Sequence, residues 1–113
     1  MRIYVAGPYT APTPTEMFDN MRRGMRLATK LLLKGHSPFC PFLDYHFQLQ
    51  LREPKEVLTV EDYYRYSLDW LEVSDAVILL PGYERSVGTV KEIERANKLQ
   101  IPVYSCYKNF VRG

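Results

Sequence analysis

"AVILLPGYERSVGTVKEIERA", Ala76 to Ala96, decides the fold. Its first five residues are apolar without alternation, the pattern of a parallel strand buried on both faces. Pro81-Gly82 stops the strand. Ser86 then stands as the N-cap of a helix over 86–98, with Glu92 in its second turn. The stretch has neither the lysine of a P-loop nor three spaced glycines. The N–H groups of Val87, Gly88 and Thr89 nevertheless carry the positive end of the helix dipole and suit a phosphate or carboxylate. A capped helix with no ligand is the alternative. Gly88 and Glu92 are four residues apart on one helix face, and the missing side chain at Gly88 leaves room above the carboxylate. Glu92 is then either a group that meets a substrate or one more exposed carboxylate beside Lys91, Glu94 and Arg95.

Outward from this stretch, the same alternation of strand and helix recurs. "RIYVA" at 2–6 reads as a strand stopped by Gly7-Pro8. Thr15 caps a helix over 16–34, along which Met17, Met21, Met25, Ala28, Leu31 and Leu32 recur at helical spacing until Lys34-Gly35. "HSPFCPF" at 36–42 supplies a short strand near a sheet edge, because Pro38 and Pro41 cannot donate to a ladder. Residues 43–59 keep no period and are expected to form a long loop with room for a turn of helix. Residues 60–73 carry two stripes, Tyr63, Tyr66, Trp70 and Val73 beside Tyr64, Leu68 and Leu71, and predict a largely covered helix. "IPVYSCY" at 101–107 reads as a last strand.

The order predicts an α/β fold, a three-layer Rossmann-like or flavodoxin-like sandwich around a small parallel sheet of four to five strands. At 113 residues the chain is expected to be one domain over 1–113. Ligands of such sheets bind outside the carboxyl ends of the strands, where strand order switches. Gly7-Pro8-Tyr9, the segment 41–46 and the segment 81–88 should converge there. Asp69, flanked by aromatic residues, is either a partly dry acid or a surface carboxylate paired with Arg65 four residues earlier. Asp75, just ahead of the buried strand, reads as structural. Tyr4 reads by default as strand packing.

Composition narrows the function classes. Hydrophobic residues make up 46% and charged residues 25%, ordinary for a globular chain, and no run nears the ~20 apolar residues that span a bilayer. No membrane partner is expected. "MRIYVAGPYT" reads as a strand rather than a secretory signal, so a cytoplasmic location is the default expectation. The net charge is +2, and Arg22, Arg23 and Arg26 lack interleaved aromatics, which favours a solvated helix face over a nucleic-acid stripe. Cys40 and Cys106 make no disulfide framework, and with His36 and His46 they form none of the close pairs of a zinc site. No metal and no cofactor are expected.

The ordered set "IYVAGPYT" at 3–10, "SLDWLEVSDAVILL" at 67–80, "SVGTVKEIERA" at 86–96 and "IPVY" at 101–104 resembles the nucleoside 2-deoxyribosyltransferase superfamily, which includes the 2′-deoxynucleoside 5′-phosphate N-hydrolases and small uncharacterised bacterial and phage relatives. That resemblance implies Glu92 as the nucleophile at C1′ of the sugar and Tyr4 as the strand tyrosine that holds it. It implies Gly7, Pro8 and Tyr9 around the sugar and its 5′ group, and Ser86 with Gly88 at a 5′-phosphate. "YKNFVRG" at 107–113 resembles the C-terminal segment lent to a neighbouring subunit's site, with Lys108, Asn109 and Phe110 in the lending positions, so a homodimer or higher homo-oligomer is implied. A frayed terminus is the other reading of that tail. Two positions depart from the pattern. The usual acid on the helix before the third strand falls at Ser67, with Asp69 two positions on, and Glu92-Ile93-Glu94 replaces the Glu-Leu-Gly or Glu-Ile-Gly that follows the nucleophile.

The leading expectation is therefore an N-glycosidase or deoxyribosyltransferase acting on a nucleoside or its 5′-monophosphate through a glutamate-linked glycosyl-enzyme. The catalytic candidates are Glu92, Asp69 and Tyr4. The alternatives are a nucleotide-binding or sensing module that breaks no bond, and an interaction protein that uses the Tyr-rich helix as its interface.

Overall fold

Alternation of side chains along two short strands organises the whole molecule. The computed structural model describes residues 1–113, Tyr45 through its backbone alone. Strands β1 (Arg2–Ala6), β2 (Ser37–Phe39), β3 (Ala76–Leu79) and β4 (Val103–Tyr104) form an all-parallel sheet in the order β2-β1-β3-β4. Ile3 lies opposite Ala76, Val5 opposite Ile78, and Val77 opposite Val103. Helices α1 (Pro14–Leu33), α2 (Tyr45–Gln50), α3 (Val60–Glu72), α4 (Val87–Lys98) and α5 (Tyr107–Arg112) complete the α/β fold. The chain runs from β1 to β2 on one side and then crosses to β3 on the other, so strand order switches between β1 and β3.

Ile3, Val5, Ile78 and Leu80 point to one face, where Met21, Leu27, Ala28 and Leu31 of α1 cover them. Tyr4, Ala6, Val77 and Leu79 point to the other, where Leu71 of α3 and Ala96 of α4 close the second core. Both central strands are thus dry on both faces, which is why "AVILL" shows no polar alternation. Pro38 sits in the edge strand β2, where its missing N–H costs no ladder bond.

Helix starts follow cap chemistry. α1 begins at Pro14, two residues before the expected start, because Thr13 Oγ1 accepts from the Glu16 N–H at 3.2 Å and proline is preset for the first turn. α3 opens with a capping box in which Thr59 Oγ1 accepts from Asp62 N–H at 3.2 Å and Asp62 Oδ2 accepts from Thr59 N–H at 2.8 Å. The expected loop 43–59 is more ordered than its pattern suggested. A 3-10 turn over Pro41–Asp44 leads directly into α2.

Packing rather than local propensity fixes that turn. The buried Phe42 ring lies against Gly24 in α1, so close that a Cβ at Gly24 would overlap it, and Tyr9 tilts on the other side with its ring centroid at 6.2 Å. The last strand is shorter than expected, because Tyr107 already begins α5. α5 folds back onto the α1 side, with Phe110 edge-on to His36 and Tyr104, and Lys30 Nζ 4.6 Å above the Tyr107 ring.

Gly24→Ala should push Phe42 out of its seat and cost about 1–3 kcal/mol. Thermal unfolding reads this as a lowered Tm, and an unchanged Tm would mean that the turn is held by something other than this contact.

Candidate active site

Even-numbered residues of β1 face α3 and α4, so Tyr4 lies fully buried under α4. Its hydroxyl donates to Glu92 Oε2. α4 is phased for this by its own start. Ser86 caps it, its Oγ accepting from the Thr89 N–H at 3.3 Å and from the buried Thr89 hydroxyl at 2.9 Å, so that Thr89, Glu92, Ile93 and Ala96 turn inward together. Gly82, at φ 85°, makes the turn from β3 that a side chain would resist, with Arg85 and Pro8 crowding the position of its absent Cβ. Gly7 has a related constraint, because Leu80 occupies the space a Cβ would need.

The Glu92 carboxyl is half-buried, and burial pushes it up to about 7 while the Tyr4 hydrogen bond pulls the other way. Burial, followed by the charge of Glu92, holds the Tyr4 phenol well above its usual value, so it stays a neutral donor. The pair is a shielded carboxylate oriented by a phenol, an arrangement suited to a nucleophile or to a carboxylate that grips a hydroxyl.

A second carboxyl belongs to this cluster. Asp44 ends the 3-10 turn after β2, and burial pushes it up to about 6, with the Ser67 hydroxyl opposing the shift. Ser67, buried on α3, also acts on Tyr4, and the Asp44 charge reaches both Tyr4 and Tyr63. Asp44 was not singled out in the sequence, although it lies in one of the three segments expected to converge. The available signal was an acid in the loop after a strand at the switch point.

Of the expected site residues, Tyr4 and Glu92 are brought together by the β1–α4 packing, and Ser86 and Gly88 lie at the start of the helix that carries Glu92. Gly88 faces the Tyr64 ring of α3, where a Cβ would still sit 3.6 Å away. Gly7 and Pro8 border the Gly82 turn, and Tyr9, its carbonyl accepting from Asn20 at 3.3 Å, leans on Phe42. Asp69 does not join them. It lies exposed on the outer face of α3, 3.8 Å from Arg65, as the surface-pair alternative anticipated. Ser67, not Asp69, occupies the inward phase. Within one chain Lys108, Asn109 and Phe110 also stay away from Glu92. Phe110 packs into the opposite core, and Asn109 donates to Ser105 Oγ at 2.7 Å. Among the described residues, no three His, Cys, Asp or Glu side chains gather as a metal site.

Residues 1–105 match the model of a family described as a domain of unknown function, DUF4406. No curated protein matches the chain. Among solved structures, a 2-deoxyribosyltransferase from the psychrotolerant bacterium Bacillus psychrosaccharolyticus is similar, with a TM-score of 0.62 and 21% identity over 91% of this chain and 69% of that one. At that identity the likeness is one of fold.

The raised carboxyl at Glu92 has a sign that can be checked. Its folded value of about 7 exceeds the ordinary 4.5, so its favourable share of stability is complete below 4.5 and is lost as pH rises through 7. Glu92→Gln, which keeps an acceptor for Tyr4, should raise Tm by a few degrees at roughly pH 8 and give no gain below about 4.5. A constant difference across that range would show that burial does not strain the carboxylate.

Proposed function

The chain belongs to the DUF4406 family, and we propose that it cleaves the N-glycosidic bond of a nucleoside or nucleoside 5′-monophosphate, by hydrolysis or by transfer to a second base. The observation that carries this reading is the buried Tyr4–Glu92 pair, with Asp44 as a second raised carboxyl in the same cluster. Ionised Glu92 attacks C1′, the C1′–N bond breaks, and its electron pair leaves with the base, which takes the proton of Asp44. Water, or the nitrogen of an incoming base, then attacks C1′. Asp44 takes up the proton and Glu92 departs as carboxylate, so configuration is retained. Asp44 here takes the part first assigned to Asp69.

The start of α4 supports an anion at the other end of the substrate. Ser86 caps the Thr89 N–H, which leaves the N–H groups of Val87 and Gly88 and the helix dipole for a 5′-phosphate. The chain would accept the product of any reaction that makes nucleoside monophosphates. A binding or sensing module is the second reading. One observation favours it: a carboxyl pushed up to about 7 is partly neutral near neutrality and suits a hydrogen bond to a sugar hydroxyl.

The experiment is incubation with a panel of nucleosides and their 5′-monophosphates, with free base followed by chromatography. Release that disappears in Glu92→Gln is expected. Tight binding without release would leave the sensing module.

The two carboxyls also set a pH profile. Activity requires Glu92 ionised and Asp44 protonated, so kcat/KM should be bell-shaped, with its maximum between about 6 and about 7. In Asp44→Asn the alkaline limb should vanish, leaving a weak rate that rises as Glu92 ionises. A bell that survives the substitution would remove Asp44 from the chemistry.

A further inference from the structure

The Tyr4 ring has a neighbour on each side across the sheet, and the two sides differ. On the β3 side its register partner is Val77, which offers no ring. On the β2 side the partner is Phe39, and the two rings stack with centroids 5.5 Å apart and planes 25° from parallel. Stacking of aromatic rings is directional, whereas contact with an aliphatic side chain is not, so Phe39 is the neighbour that sets the plane of the Tyr4 ring.

Phe39 is poorly placed to do this alone. It is half-buried, in a three-residue strand at the edge of the sheet. α3 supplies what the edge lacks. Trp70 stacks on Phe39 at 5.7 Å and 20°, Tyr66 one turn earlier leans on it at 5.8 Å, and Phe47 of α2 stands edge-on to Tyr66 at 5.5 Å. Trp70 keeps 47% of its surface exposed, so its large ring is only half used for burial, and what it completes is the stack. The rings thus run in one row from α3 through β2 to β1, where the Tyr4 hydroxyl donates to Glu92 on α4. That hydroxyl sits at the far end of its ring, where a small swing of the side chain moves it most, and a hydrogen bond weakens steeply once alignment is lost.

We infer that Phe39 is a positioning residue for Glu92: held between Tyr4 and Trp70, it fixes the Tyr4 ring so that the hydroxyl stays on the carboxylate. It acts through Tyr4 and touches neither the substrate nor the reacting atoms. The inference takes from the glycosidase reading that Glu92 is the reacting group, and its test reads the carboxyl directly.

Carbon-13 NMR follows the Glu92 carboxyl through a pH titration, its signal being the one missing from Glu92→Gln. The Tyr4 hydrogen bond pulls that carboxyl down, so Tyr4→Phe should move the midpoint up from about 7 by about one pH unit. Phe39→Leu, which keeps apolar bulk without a ring face, should move it the same way by on the order of half a pH unit. Phe39→Tyr restores the ring and should leave the midpoint where it was. In a Tyr4→Phe background Phe39→Leu should add nothing, because no hydroxyl is left to aim. A midpoint that stays put in Phe39→Leu while Tm falls overturns the inference, by reducing the ring to packing. An equal shift in the Tyr4→Phe background also overturns it, since Phe39 would then act through burial. Should Phe39→Leu fail to fold, Trp70→Leu at its half-exposed position decides: a smaller upward shift is expected, and none overturns the inference. Absence of base release from every nucleotide sinks the glycosidase reading alone, because the titration needs no turnover.

Discussion

The hydrogen bond from Tyr4 to Glu92 is the constraint around which the rest is arranged. A carboxyl turned inward beneath a helix and against a sheet loses hydration and must find a donor or a proton. Tyr4 supplies the donor from the middle of β1, and this requires three independent choices of sequence to agree. The parity of β1 must send residue 4 to the α4 face. The turn at Gly82 must deliver the chain to Ser86, and the cap at Ser86 must start α4 in the phase that turns Glu92 inward. A shift of one residue in either element would turn one partner away from the other.

Asp44 answers to a separate constraint. It is carried by a 3-10 turn whose anchor is Phe42 against Gly24, on the α1 side of the sheet, whereas Glu92 rides on α4. Burial is the first cause of the shift at each carboxyl, and neither owes its shift to the charge of the other. For the proposed reaction the values fall in an unexpected order, because Glu92, the proposed nucleophile, is pushed up to about 7 and Asp44, the proposed acid, to about 6. The reactive arrangement is thus the minor form of the singly protonated pair. Positive charge developing on the sugar in the transition state would favour ionised Glu92 and correct that order where it counts.

Much of this was legible in the sequence. The apolar run at 76–80, the strand at 2–6 and the helices with a steady 3.6-residue period needed only local patterns. The Tyr4–Glu92 pairing came from resemblance and is matched by the geometry of one chain. The turn at Pro41–Asp44 was not legible, because four residues carry no period and the ring that fixes them finds its seat on a helix earlier in the chain. Asp69 shows the converse. Ser67 and Asp69 are two positions apart, about 200° around a helix, so burial of one exposes the other. The C-terminal residues were hidden for the same reason as Asp44. Their contacts to Lys30 and His36 lie far back in the chain.

The ring of Tyr4 explains why its hydroxyl can be an aiming device rather than a loose donor. It stacks on Phe39 of the edge strand at 5.5 Å and 25°, and Phe39 stacks in turn on Trp70 of α3 at 5.7 Å and 20°. Tyr66 leans on Phe39 from the side at 5.8 Å. A phenol clamped along its ring cannot swing to follow a carboxylate, so the carboxylate must come to it, and Glu92 is fixed before any ligand enters. Trp70 is half exposed and has the look of an interface residue, yet its stacked face already has work inside the chain. Asp69, next to it, therefore points outward by necessity: the helix phase that lays Trp70 on Phe39 and Ser67 beside Tyr4 leaves residue 69 to solvent.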